Sequence, residues 1–181
     1  MRISILVASI MSISMVCFGA ESAICPSGQE CLKLGKARLA AKEKNNALRL
    51  RNALPYFDRA IVLNHKLSEA YARAGLIRMA LALPSGSRRL LEKAIPLFSR
   101  ASRLEPRQAS YHAMLGDAYN FKGDTTSAQK SYDEACALDS HYCKIANSIR
   151  DHSRVFQKIE DFYLLLSPDK RLKPQDVAGI D

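Results

Sequence analysis

Residues 53–63 read ALPYFDRAIVL, residues 94–104 read AIPLFSRASRL, and residues 128–138 read AQKSYDEACAL. All three follow one pattern: alanine, an aromatic ring four positions on, alanine three later, leucine three after that. Ala53, Phe57, Ala60 and Leu63 recur as Ala94, Phe98, Ala101 and Leu104, then as Ala128, Tyr132, Ala135 and Leu138. A 4-3-3 spacing sets these side chains on one face of an α-helix. Ahead of each lies a second helical pattern with a glycine inside: LKLGKARLAA at Gly35, YARAGLIRMAL at Gly75 and YHAMLGDAYNF at Gly116. Glycine inside a helix costs about 1 kcal/mol relative to alanine. Its recurrence therefore calls for two helices that approach closely. Small side chains bring helix axes together, so Gly75 is expected to face Ala94 and Ala101, and Gly116 to face Ala128 and Ala135. Leu115, Tyr119, Tyr132 and Leu138 are expected to fill the sides.

The unit is thus a helix pair, repeated over about 28–67, 68–108 and 109–142. Phe98 and Tyr132 lie 34 residues apart, Phe57 and Phe98 41 apart. The extra residues of the first two repeats are placed between their helices, at KEKNN and PSGSRR. Gly123 stands where the apolar pattern stops, as the left-handed end of a helix. Pro55 and Pro96 are read as early in their helices, where a missing N–H is tolerated. From Ile145 to Tyr163 an apolar residue returns every three or four positions, which predicts a capping helix over 142–165. The polar stretch 167–181 is read as a disordered tail.

The pattern resembles the tetratricopeptide repeat, a helix–turn–helix unit of 34 residues. The last repeat carries the resemblance best, through Leu115, Gly116, Tyr119, Gly123, Asp124, Ala128, Tyr132, Ala135 and Leu138. Glu105-Pro106 closes the middle repeat in the family's manner. Departures are His65 and Ser140 in place of closing prolines, and Arg38 and Arg78 where Tyr119 has its equivalents. The resemblance implies an all-α, tetratricopeptide-like helix–turn–helix solenoid: three helix pairs and a C-terminal capping helix, together filling 21–166 as one domain. It also implies that first helices line a concave face. The inward residues would be Lys33, Lys36, Arg73, Leu76, Met79, Ala113, Asp117, Asn120 and Phe121. Such a face is basic at one end and apolar in the middle, which suits a protein or peptide partner with an acidic segment. A carboxylate clamp of the kind some family members carry is not supported, since only Lys36 and Arg73 are basic at the matching positions.

The first twenty residues read differently. Arg2, then an almost unbroken apolar run, then GAESA form the pattern of a secretory signal peptide over 1–20. The alternative is a membrane anchor through residues 3–19. Export, to the bacterial periplasm, is the expected localisation. The chain holds 27 Lys and Arg against 18 Asp and Glu, a formal charge of +9. The basic residues scatter along the sequence without interleaved aromatics or a Gly-rich groove. They are read as a solvated surface, with no nucleic acid as partner and membrane contact only if the apolar run is retained.

Outside that run stand four cysteines, an even count that suits disulfides in an oxidising compartment. Stacked pairs keep the first and third repeats apart. Cys25 is therefore expected to bridge Cys31, and Cys136 to bridge Cys143. A metal site from Cys136, His141 and Cys143 lacks a fourth ligand. No catalytic or cofactor motif stands out: HExxH, GxSxG, CxxCH and the phosphate loop are all missing from the sequence. Asp151, His152 and Ser153 are adjacent and point in different directions on a helix. The expected function is therefore that of a binding module or assembly scaffold, with no enzymatic activity and no cofactor or metal. The alternatives are a cysteine-based redox or assembly factor of the envelope and a membrane-surface protein using its positive charge.

Overall fold

Ser27, Asn45 and Asp124 each turn a side-chain oxygen onto the backbone N–H three residues ahead, at 3.2, 3.0 and 3.0 Å. These caps satisfy donors that a helix start leaves open and begin three of the helices. The structure is a computed structural model describing residues 25–150. The helices are α1 Gly28–Ala40, α2 Asn46–Leu63, α3 Ser68–Ser85, α4 Arg88–Leu104, α5 Ala109–Lys122, α6 Thr125–Leu138 and α7 Cys143–Arg150, with a 3-10 turn at Ser140–Tyr142 before α7. No strand occurs among the described residues. The protein is all-α. The segment read as a signal peptide, residues 151–165 of the expected capping helix, and the 167–181 tail lie outside the described residues.

Packing is closest within the pairs α1/α2, α3/α4 and α5/α6, and each pair also contacts the next in chain order. Phe57, Phe98 and Tyr132 are fully buried, as are the alanines on either side of them in the pattern. The glycines face these rings rather than the alanines expected from the sequence. A Cβ at Gly35 would meet the Phe57 ring at 2.9 Å, one at Gly75 the Phe98 ring at 2.7 Å, and one at Gly116 the Tyr132 ring at 3.0 Å. The ring lies flat against the neighbouring backbone, where no side chain fits. Burying such a ring gains about 1.5–3 kcal/mol, enough to offset the helix penalty of glycine.

Leu115 is buried and Tyr119 half-buried, but Leu138 is 43% exposed at the end of α6. PSGSRR is not a loop insertion. Pro84 and Ser85 complete α3, Arg88 begins α4, and the turn is made by Gly86 at φ +59°. The extra residues lengthen the helices to 18 and 17 residues, against 14 each for α5 and α6. Pro55 and Pro96 accordingly fall mid-helix. Both sit on the exposed side, where a carbonyl freed of its N–H partner is hydrated by solvent. Gly123, at φ +85°, ends α5 as expected, with the Asp124 N–H closing on the Tyr119 carbonyl at 2.9 Å.

Two disulfides staple the ends. Cys25–Cys31 has a Cα separation of 5.2 Å and ties the lead-in segment to α1; Cys136–Cys143 has 4.5 Å and ties α6 to α7. Gly75→Ala should lower stability by about 1–2 kcal/mol despite the better helix propensity of alanine, read as a lower urea midpoint by circular dichroism. Phe98→Leu in the same chain should recover part of that loss, because a smaller side chain leaves room for the methyl group.

Candidate functional site

The first helices of the pairs meet along one side through polar contacts. Lys36 Nζ on α1 lies 2.9 Å from Glu69 Oε1 on α3, and Arg73 Nη2 reaches the same oxygen at 3.4 Å. One turn back, the Ser68 hydroxyl donates to the Glu105 carboxylate. Tyr111 of α5 hydrogen-bonds Ser68, and burial pushes its hydroxyl pKa up. Glu69 thus offsets the positive end that Lys36 and Arg73 were expected to form. Glu69, Ser68 and Tyr111 were not singled out in the sequence, although Glu69 and Arg73 sit four apart on one helix face.

Of the residues expected to line a groove, Lys33 and Lys36 are exposed and Arg73 and Phe121 half-buried. Leu76, Met79, Ala113, Asp117 and Asn120 are buried, at 1%, 0%, 6%, 5% and 9% exposure. A buried side chain offers no surface to a partner, so these five do not line an open groove. Leu76 and Met79 belong to the core shared by α1–α5. Phe121 instead lines a cleft of about 280 Å³ between the α3–α4 turn and the end of α5, with Leu83, Leu91 and Lys122. A wider polar cleft of about 500 Å³ lies between the α4–α5 loop and the end of α6, bordered by Arg107, Ser110, Asp139 and Tyr142.

Asp117 points into the α5/α6 pair. The Tyr132 hydroxyl donates to its Oδ1 at 2.5 Å. Burial pushes the Asp117 carboxyl up to about 7, although the Tyr132 hydrogen bond pulls it the other way. Burial first, then the Asp117 charge, raises the Tyr132 hydroxyl far above its ordinary value. Tyr142, on the turn before α7, also feels this charge and is raised, chiefly by burial. On the far side of α5, His112 joins the repeats: Nδ1 lies 2.9 Å from Glu134 Oε2 and Nε2 lies 3.0 Å from the Pro106 carbonyl oxygen.

Among the described residues no group of three His, Cys, Asp or Glu side chains is placed to hold a metal ion. No helix there is long and apolar enough to cross a membrane. The chain matches none of the protein-family models and none of the curated proteins against which it was compared.

The raised Asp117 carboxyl fixes the sign of a pH effect. Its folded value lies above the unfolded one, so its contribution to stability is complete below about pH 4 and is lost as pH rises towards 7. Tyr132 and Tyr142 stay neutral throughout this window. Urea midpoints measured from pH 4 to 7 should therefore fall further for the natural chain than for Asp117→Asn. A pH-independent difference between the two would contradict this account of the pair.

Proposed function

We propose that the chain is a tetratricopeptide-like repeat protein, exported to the bacterial periplasm, that acts as a protein–protein interaction module or assembly scaffold. The observation that carries this reading is the threefold recurrence of one contact, a ring laid on a helical glycine, in helix pairs packed in chain order. Units that repeat in this way extend a surface in one direction. Links from Lys36 to Glu69 and from Ser68 to Tyr111 run across α1, α3 and α5 along one side. That side is the proposed binding face. Its accessible groups are Lys33, Lys36 and Arg73, with Phe121 at the far end. They favour an extended or helical peptide whose acidic end meets the lysines and whose apolar part reaches the cleft at Phe121.

In the redox alternative the cysteines are reactive. Both pairs are bonded and Cys25 and Cys31 are buried, which suits structural staples better. Thiol titration of the unreduced, denatured chain separates the two, since staples leave Cys25, Cys31, Cys136 and Cys143 unlabelled. For the binding face, crosslinking capture from native envelopes should be compared between the natural chain and a Lys33→Glu, Arg73→Glu variant of equal helicity. The variant should recover the partner at least about tenfold less. Equal recovery from both would place the binding face elsewhere.

A further inference from the structure

Part of the basic charge that scatters along the sequence gathers on the outer side of α4. On α4, Arg89, Lys93, Arg100 and Arg103 are all exposed. Their spacing of four, seven and three sets them within an arc of about 80°, along about 21 Å of helix. Pro96, also exposed, fills the gap in the row. Arg89, Lys93 and Arg100 have no carboxylate within ion-pairing distance among the described residues, and Arg103 donates only to the Ser99 carbonyl of its own helix. The acid beside the row, Glu92, is taken up by Arg88 at 3.4 Å.

The preceding pair carries an equivalent row. Phe57 and Phe98 sit alike on their glycines, so positions 41 residues apart face the same way: Pro55 with Pro96, Arg59 with Arg100, Val62 with Arg103. On α2 this row holds Leu48, Asn52, Pro55, Arg59 and Val62, with Leu48 at 50% and Val62 at 63% exposure, and the exposed Arg51 lies beside it at the position of Glu92. Glu43 accepts from Asn52 of this row at 3.3 Å, and Asp58 is held by Arg78 at 2.8 Å. The outer side is therefore strongly cationic on α4 and more weakly so on α2, where Arg59 and the neighbouring Arg51 stand between large apolar side chains at the ends of the row.

We propose that this outer side of α2 and α4 docks on an anionic phospholipid bilayer. The α4 row carries long, flexible cations and no amide or aromatic side chains to read or stack on bases. Neither of the two clefts described above is lined by Arg89, Lys93, Arg100 or Arg103, so the row itself offers no concave shape with which to hold a folded partner in register. A fluid lipid surface needs none, because anionic headgroups diffuse to the charges. Exposed Leu48 and Val62 add the apolar contact that interfacial binding draws on and a nucleic-acid duplex does not. The inference is independent of the proposed binding face, which lies on the first helices. A protein docked on a bilayer through its second helices leaves the first helices facing away, towards a partner.

The test is flotation of the full chain with vesicles of phosphatidylcholine alone or with roughly one-third phosphatidylglycerol. Any contribution from the apolar run 3–19 is common to both vesicles, so the difference between them reports the charged face. The anionic vesicles should bind at least about tenfold more tightly, and about 0.5 M salt should abolish that preference. Arg89→Gln, Lys93→Gln, Arg100→Gln and Arg103→Gln in one chain should abolish it as well. All four positions are solvent-exposed, and circular dichroism checks that the fold survives. A second variant, Leu48→Ser with Val62→Ser, should weaken binding to the anionic vesicles while keeping its salt sensitivity. Equal binding to both vesicles, or a preference that survives the four glutamines, would overturn the proposal. Displacement from the anionic vesicles by a nucleic-acid duplex at equal phosphate concentration would overturn it too, in favour of a nucleic-acid partner.

Discussion

An aromatic ring can lie against a helix backbone only where the facing residue has no side chain. This constraint organises the protein. Phe57, Phe98 and Tyr132 each occupy the space that a Cβ at Gly35, Gly75 or Gly116 would fill. The approach buries each ring completely and brings in the alanines one turn to either side. Three contacts of one kind, at matching positions, make three helix pairs of one geometry. The rings lie 41 and then 34 residues apart because α3 is longer than α5 and α4 has more residues ahead of its ring than α6 does. The turns and caps follow from where each pair must end: Gly86 and Gly123 in left-handed conformation, Asn45 and Asp124 on the first free N–H groups of the next helix.

The same contact decides which polar groups can act on a partner. In the third pair the ring is a tyrosine, and its hydroxyl needs an acceptor within the core. Asp117 supplies it, one residue after the glycine. That carboxyl is thereby removed from the surface and becomes part of the α5/α6 packing. In the first two pairs the ring is phenylalanine, and the residues after the glycine are Lys36, which is exposed, and Leu76, which is buried. On the first helices Lys33, Lys36, Arg38, Arg73, Arg78 and Lys122 stand against Glu30, Glu69 and the buried Asp117, with Lys36, Arg73 and Arg78 ion-paired, while on α4 Arg88, Arg89, Lys93, Arg100 and Arg103 stand against Glu92 alone. The two sides therefore differ in pairing: the basic groups of the first helices are partly ion-paired, while those of the α4 row are not.

Much of this was written in local spacing. The alanine–ring–alanine face, the stop at Gly123 and the two short-range cysteine pairs depend on residues close together in the chain, and periodicity reports such relations well. The contact between ring and glycine was harder to read. Spacing fixes the angle of a side chain on its own helix but not which atoms of the other helix it meets. PSGSRR looked like a loop because Pro84 and Gly86 are both breakers; a proline in the last turn of α3 removes only one N–H, and Gly86 makes the turn by itself. Asp117 and Asn120 were expected on the concave face from the resemblance to the repeat, and both are buried. A signal for Asp117 was present, in the change from phenylalanine to tyrosine at Tyr132 alongside the appearance of an acid after Gly116. The row on α4 was also visible as residues spaced four, seven and three apart, but counting charge along the chain hid it.

The central claim is that each pair is held by its own ring on its own glycine. Native-state hydrogen exchange on a Gly116→Ala chain tests it most directly, because exchange reports the stability of separate units. The account predicts that amides of α5 and α6 lose protection first and that those of α1–α4 keep most of theirs. Equal loss of protection across all six helices, or none in α5 and α6, would contradict it.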